Sequence, residues 1–105
     1  MLFLLEVELA DAPALDAHEL LELAVREWEA LLEHERRKRF VAGGKLAGRR
    51  GAAAIFEVED ADELDRIVAA LPLAPHFSRV CVTPLVGPQQ ALKDARRRLH
   101  LARGE

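Results

Sequence analysis

Apolar residues alternate with other residues at the start of the chain. The apolar residues at every second position are Phe3, Leu5, Val7 and Leu9. The positions between them begin apolar and become acidic at Glu6 and Glu8. Because successive side chains of a strand point to opposite faces, this pattern predicts a first strand that is half-buried and polar at its far end.

Beyond residue 15 the apolar residues recur at intervals of three and four positions. They are Leu20, Leu21, Ala24, Val25, Trp28, Leu31 and Leu32. This spacing predicts a long amphipathic helix from Leu15 to about Arg37, with a wide apolar stripe. The segment Asp11-Ala12-Pro13 indicates the start of the helix, because proline is tolerated in a first turn.

The segment from Phe40 to Gly48 contains three glycines but still predicts a second strand. The residues expected on one face are Phe40, Ala42, Gly44 and Leu46. Most of these side chains are small, so we expect a cavity between helix and sheet where Ala42, Gly43 and Gly44 leave volume unfilled. A turn at Arg49-Arg50-Gly51 then leads to a third strand from Ala52 to Glu59.

A second helix is predicted from Glu63 to Leu71, with an apolar stripe formed by Leu64, Ile67, Val68 and Leu71. Asp60 and Glu63 have the spacing of a capping box, in which Glu63 returns a hydrogen bond to the N–H of Asp60. Pro72 ends this helix, because the residue before a proline avoids the α region. Pro75 keeps the connection extended up to a fourth strand from Arg79 to Leu85, with Pro84 tolerated at a strand end.

The predicted order of elements is β-α-β-β-α-β, which is the ferredoxin-like arrangement of the α+β class with an antiparallel sheet. Helices cover one face of such a sheet, and the other face needs a partner. Apolar residues on both faces of the first and third strands predict that a second copy covers the open face. The segment from Gln89 to Ala102 predicts an extra C-terminal helix. We therefore expect a domain at residues 1–88 and a helical extension at residues 89–105.

Composition and charge exclude several classes of function. The 105 residues carry a formal net charge of −3, so the chain has no general attraction to nucleic acid or to an anionic membrane surface. Cys81 is the single cysteine and is interpreted as a buried, inert thiol. His18, His34 and His100 lack the spacing of metal ligands, so no metal is expected. No run is long enough for a membrane span, and the opening segment does not have the pattern of a signal peptide, so we expect a cytoplasmic protein.

Five short segments resemble the muconolactone Δ-isomerase family. They are the opening MLF, the pair Arg26-Glu27, IFEVEDADEL at 55–64, LPLAP at 71–75 and VTPL at 82–85. The resemblance runs without a gap from Met1 to about Pro88. It implies a cofactor-free enzyme of the catechol branch of the β-ketoadipate pathway, which shifts a double bond in muconolactone to give 3-oxoadipate enol-lactone. It also implies a dimeric α/β barrel formed through the sheets and assembled into a larger oligomer.

The second predicted strand departs from the pattern of that family. The family usually carries aromatic and polar residues there and near the turn, where this chain has Phe40, Ala42, Gly44, Arg50 and Ala52. Lys45 retains a positive charge where the family tends to have arginine, and Gly48 matches. Two interpretations of function stay open for this reason. One is an isomerase acting on a small unsaturated lactone, and the other is a catalytically silent barrel that binds a small apolar ligand or serves as an assembly module. A cofactor-independent oxygenase is a third, supported by fold analogy alone.

An allylic proton shift needs a base, an acid and positive charge or hydrogen-bond donors near the dienolate. Glu27 is the preferred base, because its helical position borders the buried stripe and partial burial raises a carboxyl pKa. A structural border carboxylate, paired with a nearby cation, is the alternative. Glu22 also matches an acidic family position but has a polar helical phase. His76, which follows the LPLAP hinge, is a second catalytic candidate; an ordinary surface histidine is the alternative.

The carboxylate of such a substrate would require a cation. Lys45 on the second strand and Arg49 and Arg50 in the following turn are the candidates, with Glu22 as a further substrate-binding position. Solvated surface side chains are the alternative for each of them. The expected partners are a small-molecule substrate and further copies of the same chain.

Overall fold

The computed structural model of the protein describes residues 1–11 and 15–104. Its elements are β1 (Leu2–Leu9), α1 (Ala17–Arg36), β2 (Phe40–Lys45), β3 (Gly51–Glu57), α2 (Ala61–Ala69), a 3₁₀ turn (Ala74–His76), β4 (Phe77–Leu85) and α3 (Pro88–Ala102). The four strands form one antiparallel sheet in the order β2-β3-β1-β4. The predicted α+β, ferredoxin-like order with an additional C-terminal helix is confirmed.

The hydrophobic core lies between one face of the sheet and helices α1 and α2. Phe3 pairs with Phe56 across β1 and β3, and both side chains are buried. Phe56 and Leu64 of α2 are the largest fully buried side chains among the described residues. The rings of Phe40 and Phe56 meet edge to face, with their centroids 5.7 Å apart. The apolar residues at alternate positions of β1 are therefore buried as predicted, since Phe3, Leu5 and Val7 all face the helices.

The start of α1 differs from the prediction. The helix begins at Ala17, and the side chain of Asp16 caps it by accepting a hydrogen bond from the Glu19 N–H at 2.8 Å. An aspartate with extended backbone is a strong N-cap, and it determines the start of the helix here. The start predicted at Asp11-Ala12-Pro13 is wrong in position. Ala12 and Pro13 themselves lie outside the described residues.

A β-bulge changes the predicted facing of β2. Phe40 pairs with Phe56, whereas Ala42 pairs with Ile55, so the register shifts by one residue between them. Phe40 is therefore buried on the helix side, and Ala42 lies exposed on the opposite face. The prediction that Phe40, Ala42 and Gly44 share one face was wrong, because a single inserted residue reverses every side chain that follows it.

The region from α2 to β4 follows the proline hinge. Asp60 accepts a hydrogen bond from the Glu63 N–H at 2.8 Å, and the Glu63 side chain accepts one from the Glu59 N–H at 3.0 Å, one residue earlier than predicted. Helix α2 ends at Ala69, and buried Leu71 and Leu73 follow. The 3₁₀ turn then reverses the chain, and β4 begins at Phe77, two residues before the predicted start.

The face of the sheet that points away from the helices is only partly covered. Leu4, at its centre, pairs with Ile55 on one side and with Thr83 on the other. Cys81 lies on this face opposite Glu6 and is half-buried, in contrast to the buried thiol that was predicted.

Helix α3 has no buried residue. The described chain measures 64 × 27 × 23 Å. No helix in the described part of the chain is both long and apolar enough to cross a membrane.

Candidate active site

Glu27 is the one charged side chain that is buried among the described residues, with 5% of its surface exposed. It lies in the middle of α1, on the side that faces the sheet and the hinge after α2. A carboxylate oxygen of Glu27 accepts a hydrogen bond from the backbone N–H of Leu73 at 3.0 Å. Leu73 lies between Pro72 and Pro75, where the chain has left α2 and its N–H is no longer used by that helix. The LPLAP hinge therefore supplies the hydrogen-bond donor that holds this carboxylate.

The environment of Glu27 changes its acidity. Burial raises the pKa of the Glu27 carboxyl above its ordinary value, and the hydrogen bond from Leu73 opposes that rise. No cation lies within salt-bridge distance of this carboxylate in the described part of the chain. A carboxylate that is buried without a counter-ion is a stronger base than one in water.

Glu27 lies in the wall of a cavity of about 310 Å³. The cavity is formed where the end of β1, helix α1 from Leu20 to Leu31, the end of β2, the start of β3 and the hinge meet. Its lining residues are Val7, Leu9, Leu20, Leu21, Ala24, Glu27, Trp28, Leu31, Lys45, Arg50, Gly51, Ala52, Leu73 and Phe77. The wall is predominantly apolar and carries few polar groups, which is typical of a binding site for a small organic molecule.

Two cations line the same cavity. Lys45 at the end of β2 and Arg50 just before β3 are both exposed. The Lys45 Nζ atom lies 3.4 Å from the carbonyl oxygen of Arg49 and 3.5 Å from that of Leu46. The β2–β3 turn thus brings positive charge to the site that contains the buried carboxylate of Glu27.

The other three predicted site residues are not among those that line the cavity. Arg49 forms an ion pair with Glu8. Glu22 is 58% exposed and lies 3.2 Å from His18 on the solvent side of α1. His76 is half-buried in the 3₁₀ turn, where its backbone N–H donates a hydrogen bond to the Leu73 carbonyl oxygen at 2.9 Å. Of the six predicted positions, the structure brings together Glu27, Lys45 and Arg50.

The sequence prediction placed the small residues of the cavity incorrectly. Ala42, Gly43 and Gly44 do not line it, and Ala24, Gly51 and Ala52 do. The bulge in β2 turns Ala42 and Gly44 to the open face of the sheet. Sequence reasoning also missed Trp28 and Leu73 as members of the site. Trp28 could have been predicted because it is next to Glu27 in the sequence. Leu73 could have been predicted because it carries a backbone N–H between two prolines.

Among the described residues there is no group of three or more His, Cys, Asp or Glu side chains that could hold a metal ion.

Solved structures with a similar fold include the following two. Muconolactone isomerase superimposes with a TM-score of 0.73 at 22% identity, covering 84% of this chain and 92% of that chain. The second structure is the 5-chloro-2-hydroxyhydroquinone dehydrochlorinase of Burkholderia phenoliruptrix AC1100, in complex with 2,5-dihydroxybenzoquinone. It superimposes on this chain with a TM-score of 0.62 at 20% identity. That match covers 86% of this chain and 98% of the dehydrochlorinase. A comparison with curated proteins gave no match.

The sequence itself gives the assignment to a family. The family model of muconolactone delta-isomerase matches residues 1–90, which include every element up to the start of α3. The chain therefore belongs to the muconolactone delta-isomerase family.

Proposed function

We propose that the protein is an isomerase that moves a proton, and with it a carbon–carbon double bond, within a small unsaturated lactone of aromatic catabolism. The observation that carries the proposal is the buried, hydrogen-bonded carboxylate of Glu27 in the wall of an apolar cavity that Lys45 and Arg50 also line. Membership of the muconolactone delta-isomerase family supports the same class of reaction.

The proposed reaction uses Glu27 as the base. Its carboxylate takes a proton from the carbon γ to the lactone carbonyl, and the electron pair of that C–H bond moves into a dienolate. The protonated Glu27 or water then returns a proton to the α carbon, so the double bond moves by one position with no net change in atoms. The raised pKa makes the carboxylate a better base, and the Leu73 N–H holds it in place.

Lys45 and Arg50 are proposed to bind the carboxylate of the substrate. A cation that lines an apolar cavity attracts an anion and orients the ring toward the interior. The same charge stabilises the negative oxygen of the dienolate, which is the species that forms during proton transfer. A volume of about 310 Å³ is adequate for a single five-membered ring with a short side chain.

The second candidate function is a silent module that binds a small apolar ligand. The observation in its favour is the composition of the cavity wall, in which Glu27, Trp28, Lys45 and Arg50 are the residues with side-chain hydrogen-bonding groups. Such a wall provides few donors for a dienolate.

Proton exchange distinguishes the two functions. The protein is incubated with muconolactone in deuterated buffer and followed by NMR. The isomerase is expected to form the enol-lactone faster than buffer alone. Deuterium at the α carbon shows return of a solvent-derived proton, and its absence in the product shows that Glu27 returns the proton it took. A ligand-induced change in the protein spectrum without isomerisation of the lactone would support the binding module instead. No turnover and no binding would exclude muconolactone as the ligand in either role.

A further inference from the structure

Three cations lie at or beside the β2–β3 turn, and their side chains have different partners. Lys45 is the last residue of β2, and Arg49 and Arg50 precede β3. Lys45 and Arg50 line the cavity, whereas Arg49 does not. All three side chains are exposed, so their burial does not distinguish the one that is best able to bind an anionic ligand.

Two of these cations already have acceptors within the chain. The Arg49 guanidinium forms an ion pair with Glu8 of β1. The Lys45 Nζ atom donates hydrogen bonds to the carbonyl oxygens of Leu46 and Arg49, at 3.5 Å and 3.4 Å. An ammonium group has three N–H donors, so one of those of Lys45 remains for a ligand. A carboxylate that approaches Lys45 or Arg49 has to compete with these partners.

The guanidinium of Arg50 forms no hydrogen bond or ion pair with any other described residue. Its five N–H donors are therefore available to a ligand. Two parallel N–H groups of a guanidinium match the two oxygens of a carboxylate, a geometry that a lysine ammonium does not provide. Of the two cations in the cavity wall, Arg50 has the donors that suit a carboxylate.

The backbone of Arg50 is fixed beside the cavity. Its carbonyl oxygen accepts a hydrogen bond from the N–H of Leu9 at 2.8 Å. Gly51 follows it, and a Cβ atom at Gly51 would lie 2.4 Å from the carbonyl oxygen of Val7. The absence of a side chain at Gly51 therefore lets the start of β3 approach β1 this closely. Because Val7 and Leu9 also line the cavity, the Arg50 side chain begins at a fixed point of the cavity wall.

We propose that Arg50 is the specificity-determining residue of the site and binds the carboxylate of the ligand through both oxygens. The ligand class is a small ring acid, with its ring in the apolar part of the cavity and its carboxylate at Arg50. A neutral ester of the same acid lacks the second anionic oxygen and binds less tightly. Lys45 contributes positive charge but not the paired hydrogen bonds. This assignment rests on the proposed function and divides carboxylate binding unequally between the two cations.

The affinities of an acid and of its methyl ester test the proposal. The probe is the saturated analogue of muconolactone, which has no double bond to move, so binding is measured without turnover. Binding is followed by the NMR signal of the indole N–H of Trp28, the single tryptophan of the chain, which lines the cavity. We expect the wild type to bind the acid about ten-fold to a hundred-fold more tightly than the ester, because hydrogen bonds between charged groups are the stronger ones.

Substitutions assign this preference to a residue. Arg50→Met should abolish the preference for the acid, and Arg50→Lys should lose most of it, because the charge is kept but the paired hydrogen bonds are lost. Lys45→Met should weaken the binding of the acid by a smaller factor than Arg50→Met. The matched control is Arg49→Met, which removes the neighbouring cation that does not line the cavity and should retain the wild-type preference.

Several results would overturn the proposal. Equal affinity of the wild type for acid and ester, or no binding of the acid, would do so. A wild-type preference in a folded Arg50→Met or Arg50→Lys variant would also contradict it, as would a larger loss in Lys45→Met than in Arg50→Met. A wild type that binds the acid through Arg50 but does not isomerise muconolactone would support this assignment and contradict the isomerase activity, so the two failures are distinguishable.

Discussion

Gly43 and Gly44 are neighbours in β2, but they differ in the space available for a side chain. Gly43 has φ +141°, and a Cβ atom there would lie 2.3 Å from the backbone oxygen of Ala53. A Cβ atom at Gly44 would meet no atom within 4 Å. Only Gly43 therefore depends on the absence of a side chain, because its backbone approaches β3 too closely for any other residue.

We predict that Gly43→Ala lowers the free energy of unfolding by about 1–3 kcal/mol or more, through backbone strain and displacement of β3. Gly44→Ala is the matched control and should be neutral or stabilising by up to about 1 kcal/mol, because it restricts the unfolded chain. Urea unfolding of both variants measures the difference. Equal free energies of unfolding for the Gly43→Ala and Gly44→Ala variants would show that Gly43 does not approach β3 this closely.

At the scale of elements, α1 contains two titratable groups with opposite effects on stability, Glu27, which is buried, and His34, which is half-buried. Burial raises the pKa of Glu27. Its contribution to the free energy of unfolding is therefore present at low pH and is lost as the pH rises through the raised pKa. The pKa of His34 is lowered by burial first and then by Arg39 and Arg37. Its contribution is therefore present above the ordinary histidine pKa and is lost as the pH falls.

We predict that Glu27→Gln is more stable than the wild type at pH 7, because glutamine keeps an acceptor for the Leu73 N–H and carries no buried charge. The difference should vanish below about pH 4. As the pH falls through the lowered pKa of His34, we expect the wild type to lose stability, and His34→Gln should remove that loss. Urea unfolding from pH 4 to pH 8 tests both, with Glu22→Gln and His18→Gln as exposed controls on the same helix. A pH-independent difference between Glu27→Gln and the wild type would contradict the assignment.

The sequence predicted the elements whose signals are local and periodic. The apolar stripe of α1, the capping aspartate of α2 and the stop at Pro72 each depend on residues within one or two turns. The bulge after Phe40 was not predictable, because it depends on the register between β2 and β3 and on the conformation of Gly43. The same shift misplaced the small residues of the cavity. The position of Glu27 beside the buried stripe was predicted from its helical phase, whereas its hydrogen bond to Leu73 depends on a contact across 46 positions.

For the whole molecule, the open face of the sheet predicts association. Leu4 is central on this face, between Ile55 and Thr83, and is only half-buried. We predict a dimer or a larger assembly in dilute solution, and Leu4→Lys should lower its mass because a charge at the centre of an apolar interface has no partner. Light scattering measures the mass, and circular dichroism checks that the variant is folded.

The control for this substitution is Val41→Lys, on the exposed edge strand β2, where Val41 is 56% exposed. It should leave the mass unchanged. A wild-type protein that is a monomer at micromolar concentration, or a Leu4→Lys variant with the wild-type mass, would contradict a contact through the open face.

The central claim is that Glu27 is the base of a proton-transfer site, and the turnover of Glu27→Gln tests it most directly. This substitution retains the shape of the side chain and the acceptor for Leu73 but removes basicity. On a lactone that the wild type isomerises, we predict that kcat falls by roughly a hundred-fold to ten-thousand-fold, as is typical when general-base catalysis is lost. Glu22→Gln, on the exposed side of the same helix, should have nearly the wild-type rate. A wild-type rate in a folded Glu27→Gln variant would contradict the claim.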